Sequence, residues 1–100
     1  MGVSSLEGDW RVKRLSGVLP PLPISKHIEG QSGVTRIGRL RIPFRIVGMT
    51  LRYRPPLQAF ADELEASGEG FVGRATLFGQ EYARFRLVRD GNMEFRLQGA

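Results

Sequence analysis

The amino-acid sequence predicts a mainly β domain. The expected form is a small antiparallel up-and-down β-barrel, or a strongly curved sheet, of roughly six to eight strands with one short helix. Three observations carry this. Apolar and polar residues alternate with a period of two in FVGRATLF (71–78), YARFRLVR (82–89) and MEFRLQ (93–98), the pattern of antiparallel strands with one buried face. Thirteen glycines and six prolines cut the chain into segments of strand length. With 100 residues, 41% of them hydrophobic and 25% charged, the chain can bury one modest core, and residues 1–100 read as a single domain.

The first strand is LEGDWRVKRLSG, where Leu6, Trp10 and Val12 share one parity and Arg11 and Lys13 take the other. This turns the only tryptophan inward. A long connection with three prolines follows, reaching Ser32, with Ile24–Ile28 as a short strand or turn within it. A connection of this length in a small domain is functional or packs over an opening. VTRIGRLRIPFRIVGMTLRYR reads as two strands, about 34–42 and 44–54, or as one long strand bent at Pro43, Gly38 and Gly48. In PPLQAFADELEAS, Leu57, Phe60, Ala61 and Leu64 fall at i, i+3, i+4 and i+7, which predicts a helix over about 57–66. For the last strands, register follows from keeping apolar faces together. A three-residue Gly79–Glu81 loop would pair Leu77 with Ala83, Ala75 with Phe85, Gly73 with Leu87 and, on the outer face, Phe78 with Tyr82. A three-residue loop Asp90-Gly91-Asn92 would set Leu87 opposite Phe95 and Phe85 opposite Leu97.

Charge is unevenly distributed along a chain of net charge +5. Gln31 to Pro56 holds six arginines and no acid, whereas Leu57 to Glu69 holds four acids and no base. Outward rows such as Arg39, Arg41 and Arg45, or Arg84, Arg86 and Arg96, with Tyr53, Phe78 and Tyr82 near them, could follow a nucleic-acid backbone and stack bases. Alternatively, they form a solvated face that discourages edge pairing. Arg36, Arg52, Arg54 and Arg74 share faces with apolar residues in places, and Arg74, between Val72 and Thr76, is the first candidate among them to point inward, where it would need a partner or an anionic ligand.

Reaction motifs are missing. No serine lies in a G-x-S-x-G context, no glycine run has the lysine of a phosphate loop, and there is no cysteine. His27, the only histidine, reads as a loop residue, and its spacing to acids is not that of a metal site. Asp9 with Glu29 is a conceivable carboxylate pair without supporting spacing. Catalysis is therefore unsupported, and neither cofactor nor metal is expected. With no basic-then-apolar leader and no apolar run near the roughly 20 residues of a membrane helix, the chain reads as cytoplasmic and not membrane-bound.

Gly8-Asp9-Trp10 on the first strand resembles the G-x-W element of the calycins, the lipocalin, fatty-acid-binding and nitrobindin-like barrels. The GRATLFG strand and the RDGN turn are similar in style. The resemblance implies an up-and-down barrel whose tryptophan, here Trp10, packs across the closed end, with an interior that holds an apolar ligand or haem. No histidine follows His27 for haem ligation.

The expected function is non-catalytic binding of a small apolar or amphipathic ligand in the barrel interior. The candidate lining is Trp10 and Val12, Phe44 and Ile46, Phe71, Ala75 and Leu77, Phe85 and Leu87, Phe95 and Leu97, with Arg74 as the inward cation. The alternatives are a nucleic-acid-binding barrel using the arginine rows, or a filled-core interaction module acting as a homodimer through Phe78 and Tyr82.

Overall fold

The computed structural model describes residues 6–90. Their eight strands are β1 (Gly8–Gly17), β2 (Ile24–Glu29), β3 (Ser32–Ile37), β4 (Leu40–Val47), β5 (Thr50–Tyr53), β6 (Phe60–Ser67), β7 (Gly70–Leu77) and β8 (Gln80–Arg89). Each pairs antiparallel with the next, and β8 returns to pair with β1, closing the barrel. The strand expected over 93–98, Gly91 and Asn92 of the expected Asp90-Gly91-Asn92 loop, and with them Phe95, Leu97 and Arg96, lie outside the described residues. No helix among the described residues is long and apolar enough to cross a membrane.

Turn chemistry explains the meander. Four of the hairpin loops have two residues and begin with Gly30, Gly38, Gly48 or Gly68 at φ between 59° and 64°. Glycine there at positive φ, followed by a residue at negative φ, is the type II′ pattern, which matches the twist of the flanking strands. Gly38 and Gly48 are thus reversals and not bends, so the stretch read as one or two strands is three: β3, β4 and β5.

The helix expected over 57–66 is absent. Leu57 ends one turn, its N–H donating to the Arg54 carbonyl at 2.8 Å, and begins another, its carbonyl accepting from the Phe60 N–H at 3.0 Å, and Phe60 opens β6. Phe60 and Leu64 share a face at either period, so the stripe alone cannot decide. Asp62 decides: period two turns it inward, where it finds a buried cation, and β6 gains ladders on both edges, eight residue pairs with β7 and three with β5. A helix of this length is marginal without such tertiary support.

The β7–β8 register also departs from expectation. The loop is the two-residue Phe78-Gly79, with φ of 53° and 81°, and Tyr82 bulges out of β8 between Glu81 (opposite Thr76) and Ala83 (opposite Ala75). The bulge supplies the extra residue that a three-residue loop was to provide, so apolar faces still meet. Now, however, Phe71 faces Leu87, Gly73 faces Phe85, and Ala75 faces Ala83. Phe78 and Tyr82 therefore do not pair; Leu77 lies exposed, and Thr76 is buried with its hydroxyl donating to the Ala61 carbonyl at 3.1 Å.

One half of the barrel is solid. Trp10, Ile28, Phe44, Leu51, Phe71, Phe85 and Leu87 are all buried there. Trp10 stands edge-on to Phe71 at 5.5 Å, its indole N–H donates to the Leu6 carbonyl at 2.7 Å, and the Arg89 guanidinium covers the ring at 4.0 Å. The tryptophan is thus turned inward and buried in the solid half. Gly33 opposite Phe44 and Gly73 opposite Phe85 leave space for the aromatic rings to lie across the partner strand; a Cβ at either glycine would meet the ring.

Candidate ligand-binding site

The inward residues stack in layers along each strand. On β2 they run Ile24, Lys26, Ile28; on β3, Ile37, Thr35, Gly33; on β4, Ile42, Phe44; on β6, Phe60, Asp62, Leu64. The last residue of each series belongs to the solid half and the first lines a cavity of about 310 Å³. Between them lies a polar belt of Lys26, Thr35, Tyr53 and Asp62.

The cavity is apolar above the belt. Val12, Ile24, Ile37, Ile42 and Ala75 form its wall, and Leu19, Pro20, Leu40, Leu57, Phe60 and Tyr82 its rim. The proline-rich connection crosses this rim, tied at one end by Val18 N–H to the Tyr82 carbonyl (3.2 Å) and at the other by Gly38 N–H to the Pro23 carbonyl (3.1 Å). Phe60 and Tyr82 meet edge-to-face at 6.2 Å. The Tyr82 bulge brings a second aromatic to the mouth.

The belt forms the floor. Lys26 Nζ donates to Thr35 Oγ1 at 2.7 Å, Tyr53 OH at 2.9 Å and Asp62 Oδ2 at 2.9 Å. Tyr53 OH donates to the same Asp62 oxygen at 2.8 Å and lies 2.8 Å from Thr35 Oγ1. The ammonium also lies 5.6 Å from the Phe44 and Tyr53 ring centres and 5.7 Å from that of Phe85. Burial alone would lower the lysine pKa, but the Asp62 carboxylate and the Tyr53 oxygen outweigh it and hold the pKa above the usual lysine value. Burial pushes the Tyr53 phenol up to about 12, against the pull of Lys26 and with the help of Asp62. The floor is thus an ion pair with a neutral tyrosine at physiological pH.

Of the expected lining among the described residues, only Val12 and Ala75 border the cavity. Trp10, Phe44, Phe71, Phe85 and Leu87 fill the solid half, Ile46 packs against it, and Leu77 faces out. Arg74 also faces out, bonded to Glu63 at 3.1 Å and Glu81 at 3.0 Å. The inward cation is Lys26, and its signal was present: Ile24, Lys26 and Ile28 share a parity, as do Phe60, Asp62 and Leu64. Two inward charges of opposite sign on two strands are a recognisable pair once β6 is read with period two.

On the outside, Arg84 shares Glu81 with Arg74, and Arg86 donates to the Ser67 carbonyl and hydroxyl at 3.3 Å. Arg84 first, then Arg74, hold the Glu81 carboxyl below its usual range. Arg36 faces Arg41 and Arg45 faces Arg52 across strands, with Arg39 in a turn. None of these five, nor Arg54, has an ion pair among the described residues. Tyr53 is inside the barrel and unavailable to stack on a base. His27 lies on the outer face of β2 and not in a loop, 2.7 Å from Asp9 Oδ1 and 3.1 Å from Glu29 Oε2. Its hydrogen bond to Asp9, then that to Glu29, raises its pKa. The fold does unite the carboxylates of Asp9 and Glu29, but around an imidazole turned away from the cavity. Among the described residues no His, Asp and Glu cluster is arranged to hold a metal ion.

Fold and site together define a small closed eight-stranded antiparallel β-barrel, compatible with a calycin-like fold, solid at one end and hollow at the other. No protein-family model, curated protein or solved structure matches the chain.

Proposed function

We propose that this protein is a non-catalytic, calycin-like binding barrel that takes a small apolar or amphipathic ligand into its open half. The cavity carries this reading. At about 310 Å³ it falls at the lower end of the range for small-molecule sites, and its apolar wall ends on a small set of converging polar groups. It holds the volume of roughly ten waters at ~30 Å³ each, so a ligand of about that many heavy atoms fits. Isothermal titration calorimetry with octan-1-ol tests this. Saturable binding with a negative heat-capacity change is expected, and Ile37→Trp at the wall should abolish it while leaving the circular-dichroism spectrum unchanged. Binding unaffected by that substitution would remove the interior from consideration.

A second reading rests on the unpaired arginines of β3, β4 and β5. Like charges set directly opposite one another are unfavourable, and here no acid among the described residues relieves them. Such a face fits a nucleic-acid backbone. Binding of a single-stranded oligonucleotide should then weaken steeply with salt, with a log–log slope of about −2 to −3 if three or four phosphates are neutralised. Arg41→Gln with Arg52→Gln should flatten that slope; no binding at low salt ends this reading.

A further inference from the structure

The hydrogen bonds of the belt leave one group over. An ammonium has three donors and no acceptor, and all three Lys26 donors are taken by Thr35, Tyr53 and Asp62. The Tyr53 proton goes to Asp62 Oδ2, so in the 2.8 Å contact between the two hydroxyls Thr35 must donate to the Tyr53 oxygen. Every donor in the belt is thereby used. Asp62 Oδ2 accepts twice, whereas Oδ1 has no hydrogen bond among the described residues. Among the described residues no fully buried side-chain polar atom lacks a partner, so Oδ1 keeps accessible surface, and Asp62 is part of the cavity lining.

We infer that the ligand carries a neutral hydrogen-bond donor, a hydroxyl above all, which Asp62 Oδ1 accepts at the cavity floor. This rests on the interior-binding reading and narrows its ligand class. Charge points the same way. Lys26 and Asp62 neutralise each other, so a ligand carboxylate would bring an unpaired charge into an apolar space, facing a carboxylate and finding no spare donor. A ligand ammonium would find Oδ1 but leave the floor with a net positive charge. Burying a charge without a partner is far more costly than burying a hydrogen-bonded hydroxyl. The belt is therefore selective against fatty acids even though the wall suits their chains.

Calorimetry on the full chain with three probes of matched size tests this: octan-1-ol, its donor-less isomer 1-methoxyheptane, and octanoate. The alcohol should bind about tenfold or more tighter than either, the ratio expected of one hydrogen bond to a charged group. Octanoate binding tightest, or alcohol and ether binding equally, overturns the inference while leaving interior binding intact. Failure of all three to bind removes the interior reading and this inference with it. In the double variant Lys26→Met/Asp62→Leu, alcohol and ether should bind alike; a preference that survives there overturns the role of Asp62.

Discussion

Replacing Lys26 by methionine keeps most of the side-chain volume and removes three of the belt's five hydrogen bonds. Asp62 would then keep a buried carboxylate with Tyr53 as its one donor. Lys26 and Asp62 are 3% and 5% exposed, so solvent gives little relief. Breaking a buried ion pair from one side costs about 3–5 kcal/mol, whereas replacing both partners by apolar groups of similar size is near neutral. Lys26→Met should therefore lower stability by about that amount, and adding Asp62→Leu should restore it to within about 1 kcal/mol of the original. Urea unfolding followed by Trp10 fluorescence reports on the solid half. With a slope of about 1–2 kcal/mol per molar, the midpoint of the single variant should fall by roughly 2–3 M. A single variant costing under about 1 kcal/mol, or a double variant worse than the single, would refute the account of the belt as one coupled unit.

Alkaline pH should weaken the barrel. A folded-state pKa raised above its unfolded value gives stability that is whole below the unfolded value and lost as pH rises through the folded one. Tyr53, raised from 10.0 to about 12, and Lys26, raised from 10.5, place that loss above pH 10; urea midpoints for the native chain and Tyr53→Phe should converge as pH climbs. Gly73→Ala drives a methyl into the Phe85 ring and should cost about 1–3 kcal/mol by urea unfolding, with Phe85→Leu recovering part of it. Phe78 holds a φ of 53° and is 82% exposed, so Phe78→Asn, which suits the type I′ turn, should stabilise by about 0.5–1 kcal/mol. If Phe78 also seats a second copy of the chain, the same variant should dissociate the dimer in light scattering.

The period-two pattern made the barrel and its inward tryptophan legible, because each side chain's face depends on local parity alone. What the pattern could not supply was arithmetic between strands. The Tyr82 bulge shifted β7 against β8 by two residues from the expected register. This turned Gly73 from a possible gap into the seat of Phe85 and sent Leu77 outside. The helix reading of 57–66 failed for a related reason. A carboxylate at an inward position counts against a strand until its partner is known, and Lys26 lay in a segment read as a connection. Either half of that pair looks anomalous alone. The cavity was hidden with it, since twelve of its fifteen lining residues come from 18–28, 34–54 and 57–66, where strand boundaries were wrong or open.

The belt also bears on how an empty cup keeps its shape. Lys26 on β2 and Asp62 on β6 are joined across the bore, and Thr35 on β3 and Tyr53 on β5 lock onto the same atoms. A hollow tube of strands tends to flatten until opposite walls touch; a strut across its width resists that without occupying the space above. The cross-section at the cavity floor is thus set by bonds the protein makes with itself. A guest of the proposed class would enter a chamber already open, and little of its binding energy would go into ordering the host.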